Sequence, residues 1–341
     1  MAAIPPDTAL AEWEVRAVRP ADLAALHDLA LLTGGGFTNL PPDRDALARR
    51  IGWSADSNAA SVTKAGDEIY MLVLHHRPSG RIGGTACLFA AVGQRHPFYS
   101  YKLTTLSSHS RELDRGFRTT VLHLVNDFDG CSEVGGLFLH PDLRTAGLGR
   151  LLARARYLFM ARHRERFAGR VLAELRGVID AQGNSPFWDG LAGRFFGMDF
   201  VEADRFNGIH GSQFIADMMP KFPVYVALLP PEARAVLGVE HAAGARARGL
   251  LEAEGFQFNG YVDIFDGGPT MDSRVADLRA VREAAVHNAV KGEISDIRLV
   301  AAGRCADFRC RAIPAGVWPD GIAIAPDAGF TIGEELIHAP F

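Results

Sequence analysis

Residues Ser132–Leu152, SEVGGLFLHPDLRTAGLGRLL, constrain this chain more than any other stretch. An apolar run from Val134 to Leu139 stops at His140-Pro141. A basic, glycine-spaced loop follows (Arg144, Gly147, Gly149), and then a helical pattern, LLARARYLFMARHRERF. Strand, glycine loop and helix N-terminus together suit a pyrophosphate. Glycine lets the backbone come close, first-turn N–H groups lack intrahelical partners, and the helix dipole favours an anion. Arg144 adds a fixed positive charge. No Gly-Lys-Ser/Thr closes the loop and Gly-x-Gly-x-x-Gly is incomplete, so neither common phosphate loop is present. Any strand-to-helix turn favours glycine, so the loop alone leaves a purely structural role open. Gly135-Gly136 shifts the balance, because glycine inside a strand suits a bulge or the close approach of a ligand.

At 341 residues the chain can bury a sizeable core. A net charge of −4 leaves no nucleic-acid footprint, and the basic helix from Arg150 is a local exception where an anion would bind. Cys87, Cys131, Cys305 and Cys310 lack paired metal spacing and read as reduced packing thiols, so no metal is expected. The N-terminus has no basic region followed by an apolar core, and no apolar run is long enough for a membrane span. A cytoplasmic protein is the expectation.

Strands and helices interleave, which predicts a mixed α/β class. Residues 1–12 read as a loose tail. Trp13–Val18 reads as a strand, a helix runs from Arg19-Pro20-Ala21-Asp22 to about Leu32, and a second runs to Ile51. Tyr70–His75 and Ile82–Val92 form a hairpin around His76–Gly80. Phe98–Asp129 reads as strand then loop. Arg170–Gly177 is a strand, and Pro186–Phe196 a helix whose aromatics pack. Ala242–Glu254 is a helix closed by Gly255, and Phe256–Phe265 a strand. A charged helix over Val275–Ala289 then precedes short strands at Ile297–Ala302, Phe308–Ile313, Ile322–Ala325 and near Leu336. The implied organisation is a tail (1–12), a catalytic region (13–272) and a small β-rich C-terminal domain (273–341).

The Arg-x-x-Gly-x-Gly spacing resembles the acyl-CoA loop of GCN5-related N-acyltransferases. Longer blocks are more specific: RPADLAALHDLA, TGGGFTNLP, SEVGGLFLHPDLR, LAELRGVIDAQGNSPFW, RFFGMDF, FIADMMPKFPVY and EGFQFNGYVDIFDGGPT. Over almost all of residues 15–275 the chain resembles the bacterial arginine N-succinyltransferase family. The resemblance implies a mostly antiparallel sheet flanked by helices, with a β-rich appendage. It implies succinyl-CoA as acyl donor, L-arginine as acceptor, no prosthetic group, and a homodimer or a pairing with a related subunit. The family's acyl-CoA contact falls on Leu137 and its proton donor on His241. The family usually has His-Pro at that point, whereas this chain has His241-Ala242.

Aminolysis of a thioester needs a neutral amine, a home for the oxyanion, and a proton for the departing thiolate. Backbone N–H groups near Gly136-Leu137 suit the oxyanion, and Arg144, Gly147 and Gly149 the pyrophosphate. His241 suits the proton, since imidazole exchanges protons near neutrality. Glu174, Asp180, Asp263 and Asp266 are candidates for the guanidinium, and Arg176 for a carboxylate. Each also reads as an ion pair or loop cap. Thr33-Gly34-Gly35-Gly36 either admits substrate or ends a helix. Two alternatives stay open: the same chemistry on ornithine or another basic amino acid, and a silent paralogue that only binds acyl-CoA or arginine.

Overall fold

The computed structural model describes residues 10–33, 39–144, 147–210, 213–219 and 222–341. Two compact units emerge. The first holds the described residues of Met1–Ala91, with Ser132–Val171 and Arg274–Phe341; the second holds Val92–Cys131 and Leu172–Ser273. This differs from the division expected from the sequence, because the C-terminal strands group with the N-terminal ones.

Strand β1 (Trp13–Ala17) leads through a 3-10 turn at Pro20–Asp22 into helix α1 (Leu23–Leu31). Arg16 holds that corner, donating to both Asp22 oxygens at 2.8 Å. Burial opposes the Asp22 charge, but the guanidinium and the Arg19 N–H outweigh it and hold its carboxyl below the usual range. Asp43 accepts from Ala46 N–H and caps α2 (Arg44–Ala59), which runs eight residues past the expected Ile51. Strands β2 (Ile69–His76) and β3 (Ile82–Phe89) form the expected hairpin. Strands β4 (Ser100–Ser110) and β5 (Arg115–Val125) belong to the second unit. The first resumes with β6 (Ser132–Leu139) and α3 (Leu148–Arg162).

Residues Ile69–Leu74 of β2 are all buried, which explains why they read as a run rather than an alternation. Ile69, Met71 and Val73 face Leu26, Leu29, Leu47 and Ile51 of α1 and α2. Tyr70 turns the other way, its ring 5.1 Å from Phe159 of α3.

The chain crosses to the second unit along β7 (Arg170–Glu174). There, β8 (Val224–Tyr225), β9 (Gln257–Asp263) and β10 (Pro269–Arg274) complete the antiparallel order β10-β9-β4-β5-β8. The Phe98–Asp129 region is therefore a long hairpin, not strand then loop. Its LTTLSSHS segment is polar on both faces and shows no period-2 signal. Pro186–Phe196 is two short helices, Pro186–Gly190 and Gly193–Phe196, broken at Leu191-Ala192. Phe187, Trp188 and Leu191 pack against Tyr101, Leu122, Val262 and Phe265 as expected, whereas Phe195 is exposed.

The C-terminal segment holds β11 (Ala285–Val290), β12 (Asp296–Ala302), β13 (Arg309–Trp318), β14 (Gly321–Ile324) and β15 (Glu335–Pro340). The order β12-β15-β11-β14-β13 closes on itself through a β12–β13 pairing, making a small barrel around Val300, Ile313, Ile322, Ile324, Phe330 and Leu336. The charged helix expected over Val275–Ala289 is not there. A 3-10 turn and the four-residue helix Arg279–Arg282 give way to β11, which the barrel needs between β14 and β15. Strand β13 also pairs with β1, Val15 opposite Cys310, which ties the barrel to the first strand of the chain.

Candidate active site

The glycines of β6 do what their sequence position suggested. Pairing with β3 passes from Thr85↔Phe138 to Cys87↔Gly135, so Gly136 and Leu137 together oppose Ala86. That is a β-bulge, which disrupts the ladder locally and leaves an extra residue of β6 unpaired. Gly136 has φ +58°, and a β-carbon there would lie 2.9 Å from Cys87 Sγ. Both facts demand glycine. Leu137 is half-buried. A β-carbon on Gly135 would lie 2.9 Å from both Asn39 Nδ2 and Glu133 Oε1, so these two side chains flank the bulge. Neither stood among the expected site residues. Asn39 lies within the TGGGFTNLP block, and that was the signal available for it.

Beyond β6, His140 caps a 3-10 turn over Pro141–Leu143, its Nδ1 accepting from Asp142 N–H. Arg144 is exposed, donates from Nε to Leu139 O at 3.3 Å, and lies 5.9 Å from the Phe138 ring centre. Thr145 and Ala146 fall outside the described residues. Gly147, at φ +80°, is the N-cap of α3. Among the described residues, no side chain caps that end and no acid occupies its first turn, so it keeps the electropositive character an anion needs. At Gly149 a β-carbon would meet only Leu139 Cδ2, at 3.7 Å, so packing does not require glycine there. The structure brings Gly136, Leu137, Arg144, Gly147 and Gly149 onto one strand-loop-helix in the first unit. Of the Thr33-Gly34-Gly35-Gly36 loop, Thr33 hydrogen-bonds back to Ala30 O, and Gly34–Gly36 lie outside the described residues.

His241 and the charged candidates lie at the end of β7 or beyond it, in the second unit. His241 is half-buried and begins a 3-10 turn, Ala242–Gly244, that leads into the helix Ala245–Glu254. Its backbone N–H donates to Arg176 O at 2.8 Å, and Gly177 bridges to Glu240. Its Nδ1 accepts from Ala243 N–H at 3.2 Å, which places the proton of the neutral ring on Nε2. Arg176 is exposed, and Glu174 half-buried.

Asp266 is buried, and both its oxygens are engaged by backbone, from Gly177 N–H at 2.7 Å and Gly268 N–H at 2.8 Å. Burial, and then the charge of Asp263, push its carboxyl up to about 7. Asp263 accepts from the N–H groups of Phe265 and Asp266 and closes the same turn. Asp180 caps its own loop by accepting from Gln182 and Asn184 N–H. The turn Asp263–Gly268 thus locks the end of β7 against the His241 turn, and Asp180, Asp263 and Asp266 each accept backbone N–H groups.

The chain has relatives of known name. A family model described as arginine N-succinyltransferase beta subunit matches residues 13–280. Arginine N-succinyltransferases of Enterobacter sp. (strain 638) and Salmonella newport (strain SL254) are each 43% identical over 279 residues, 82% of this chain and 81% of theirs. The solved structure of arginine/ornithine succinyltransferase subunit AI from Pseudomonas aeruginosa superposes with a TM-score of 0.87 at 32% identity, covering 96% of this chain and 98% of that one. This chain is a member of the arginine N-succinyltransferase family.

Proposed function

We propose that this protein transfers the succinyl group of succinyl-CoA to the α-amine of L-arginine, giving N2-succinylarginine and CoA, in the cytoplasmic breakdown of arginine. The observation that carries the acyl-donor half is the bulge at Gly136-Leu137, followed within a few residues by the uncapped N-terminus of α3. In this reading the pyrophosphate meets the α3 N-terminus, Gly147, Gly149 and Arg144, and the thioester carbonyl meets the N–H groups freed at Gly136-Leu137. The acceptor gives up its ammonium proton to solvent, and the amine lone pair attacks the carbonyl carbon. Oriented N–H donors stabilise the oxyanion that forms. As it collapses the C–S bond breaks, the attacking nitrogen releases the proton that addition made acidic, and His241 passes a proton through Nε2 to the departing thiolate while regaining that one by way of solvent.

At and just beyond the end of β7, Glu174 is the acid we assign to the guanidinium and Arg176 the basic group we assign to a carboxylate. A fork of N–H donors matches a carboxylate well. The P. aeruginosa protein's name joins arginine to ornithine, which favours one second reading: the same chemistry on ornithine. That name also calls it a subunit, and we extend the proposal to pairing with a second copy or a related chain.

A thiol-release assay with product mass decides. Succinyl-CoA and acetyl-CoA would each be paired with arginine, ornithine and lysine. Release with succinyl-CoA and arginine supports the proposal, and release with ornithine alone moves it to the second reading. Succinyl-CoA binding without release under any pairing overturns it in favour of a binding paralogue.

A further inference from the structure

The carbonyl of Arg176 and the N–H of Gly177 belong to one peptide group. That peptide is trans, so the two point to opposite sides of the chain. On one side the carbonyl accepts from His241 N–H at 2.8 Å. On the other the N–H donates to Asp266 Oδ2 at 2.7 Å. The second oxygen of Asp266 accepts from Gly268 N–H and fixes the turn, whose Gly267 O accepts from Gly238 N–H at 2.9 Å. The segment from Gly238 to His241 is thus held at both ends by groups that one buried carboxylate holds. The fit around it is close. A β-carbon on Gly177 would lie 2.8 Å from Asp266 Oδ1, and one on Gly268 2.9 Å from the same atom.

A second buried acid shows what is unusual here. Asp22 has the Arg16 guanidinium, and its carboxyl is held below the usual range. Asp266 bonds to neutral N–H groups and faces the like charge of Asp263, which with burial raises its carboxyl. A carboxyl raised on folding holds its proton more tightly in the folded chain, so stability falls as pH rises toward 7 and the charge forms. Stability therefore accounts for an acid at Asp22 but poorly for one at Asp266. What the charge does supply is grip. A carboxylate binds an N–H more strongly than a neutral acceptor does, and a peptide polarised at its N–H accepts better at its carbonyl. That carbonyl holds His241. Because Nδ1 of His241 is tied to Ala243 N–H, the ring follows its own backbone.

We propose that Asp266 is a positioning residue for the proton donor: through the Arg176–Gly177 peptide it sets where His241 presents Nε2–H. The inference rests on the reading of His241 as that donor, and adds a carboxylate that acts on it through the backbone alone.

A double-mutant cycle with His241→Ala tests it. Asp266→Asn keeps the shape of the side chain but sets an amide donor against one of the two N–H groups. It should lower kcat about ten- to a hundredfold, as small displacements of a reacting group do, with the Kd for succinyl-CoA little changed. In the His241→Ala background it should cost nothing further, because the group it positions is gone. Losses that multiply overturn the proposal, as does an Asp266→Asn enzyme as fast as the wild type. Nitrogen NMR of the His241 ring reads the same hold without turnover. The Nε2 resonance should shift in Asp266→Asn, and an unchanged resonance overturns the proposal. A wild type without turnover would sink the succinyltransferase reading, while a shifted resonance would leave the hold of Asp266 on His241 standing. Asp266→Ser, which accepts from one N–H, repeats the cycle if the Asn variant does not fold. Failure of both to fold would show a framework role alone and overturn the proposal.

Discussion

His140 and His241 each begin a 3-10 turn, with φ and ψ of −50° and 136° at the first and −55° and 142° at the second. In both, Nδ1 accepts the N–H two residues on, at 3.3 Å and 3.2 Å. Only His140 precedes a proline. The backbone seen at His140-Pro141 is therefore reached at His241-Ala242 without a proline, with the imidazole capping each turn. The surroundings differ. His140 lies 3.5 Å from the Asp142 carboxylate, while the acid beside His241, Glu240, is engaged by Arg248 at 2.7 Å. The same local device serves a turn in one place and presents an Nε2–H donor in the other.

The largest test of that contrast is deletion of each ring. His241→Ala should lower kcat by about a hundredfold or more, as loss of a proton-transfer group does, with succinyl-CoA binding little changed. His140→Ala should cost about 1 kcal/mol of stability as a lost cap and leave kcat within a few-fold. Equal losses of kcat would break the distinction. Upstream of His140, Gly136→Ala forces a side chain into φ +58° and onto Cys87. It should cost about 1–3 kcal/mol and raise the KM for succinyl-CoA more than that for arginine, read by unfolding and steady-state kinetics.

Acid sharpens the comparison through a third histidine. His163 is buried, which lowers its pKa to about 4; its Nδ1–H donates to Phe159 O and its Nε2 accepts from Cys305 N–H. An unfolded histidine titrates near 6.5, roughly. The folded value lies below it, so the stability held by the neutral ring is complete above that pH and is lost as pH falls toward 4. The loss should amount to about 1–3 kcal/mol, and in His163→Gln the unfolding midpoint should fall less between neutral and mildly acidic pH. The smallest expected effect is that of Ala242→Pro. The His241 backbone already suits a residue before proline, so turnover should be unchanged and stability equal or higher by up to about 1 kcal/mol. A marked loss in either would show that the two caps are less alike than their angles.

Much of the site was legible beforehand where the chemistry is local. Gly135-Gly136 announced a bulge, and Gly255 the end of its helix at φ 108°. The acids were not legible in the same way. Asp263 and Asp266 look like ligands in YVDIFDGG, yet the N–H groups they serve include Gly177, 89 positions from Asp266. Asn39 and Glu133 were overlooked because their meeting at Gly135 brings together residues far apart in the chain. The β4–β5 arm failed as a reading because a strand polar on both faces has no hydrophobic period to detect.

Turns, caps, the bulge and the apolar run of β2 follow from residues within a few positions of one another, and sterics and local hydrogen bonds act at that range. Closure of the C-terminal barrel, the union of β13 with β1, and the division into two units depend on strand registers between distant segments. Backbone hydrogen bonding is alike for every residue pair, so which strands meet is settled by the packing of whole faces. That information exists only once the chain is folded.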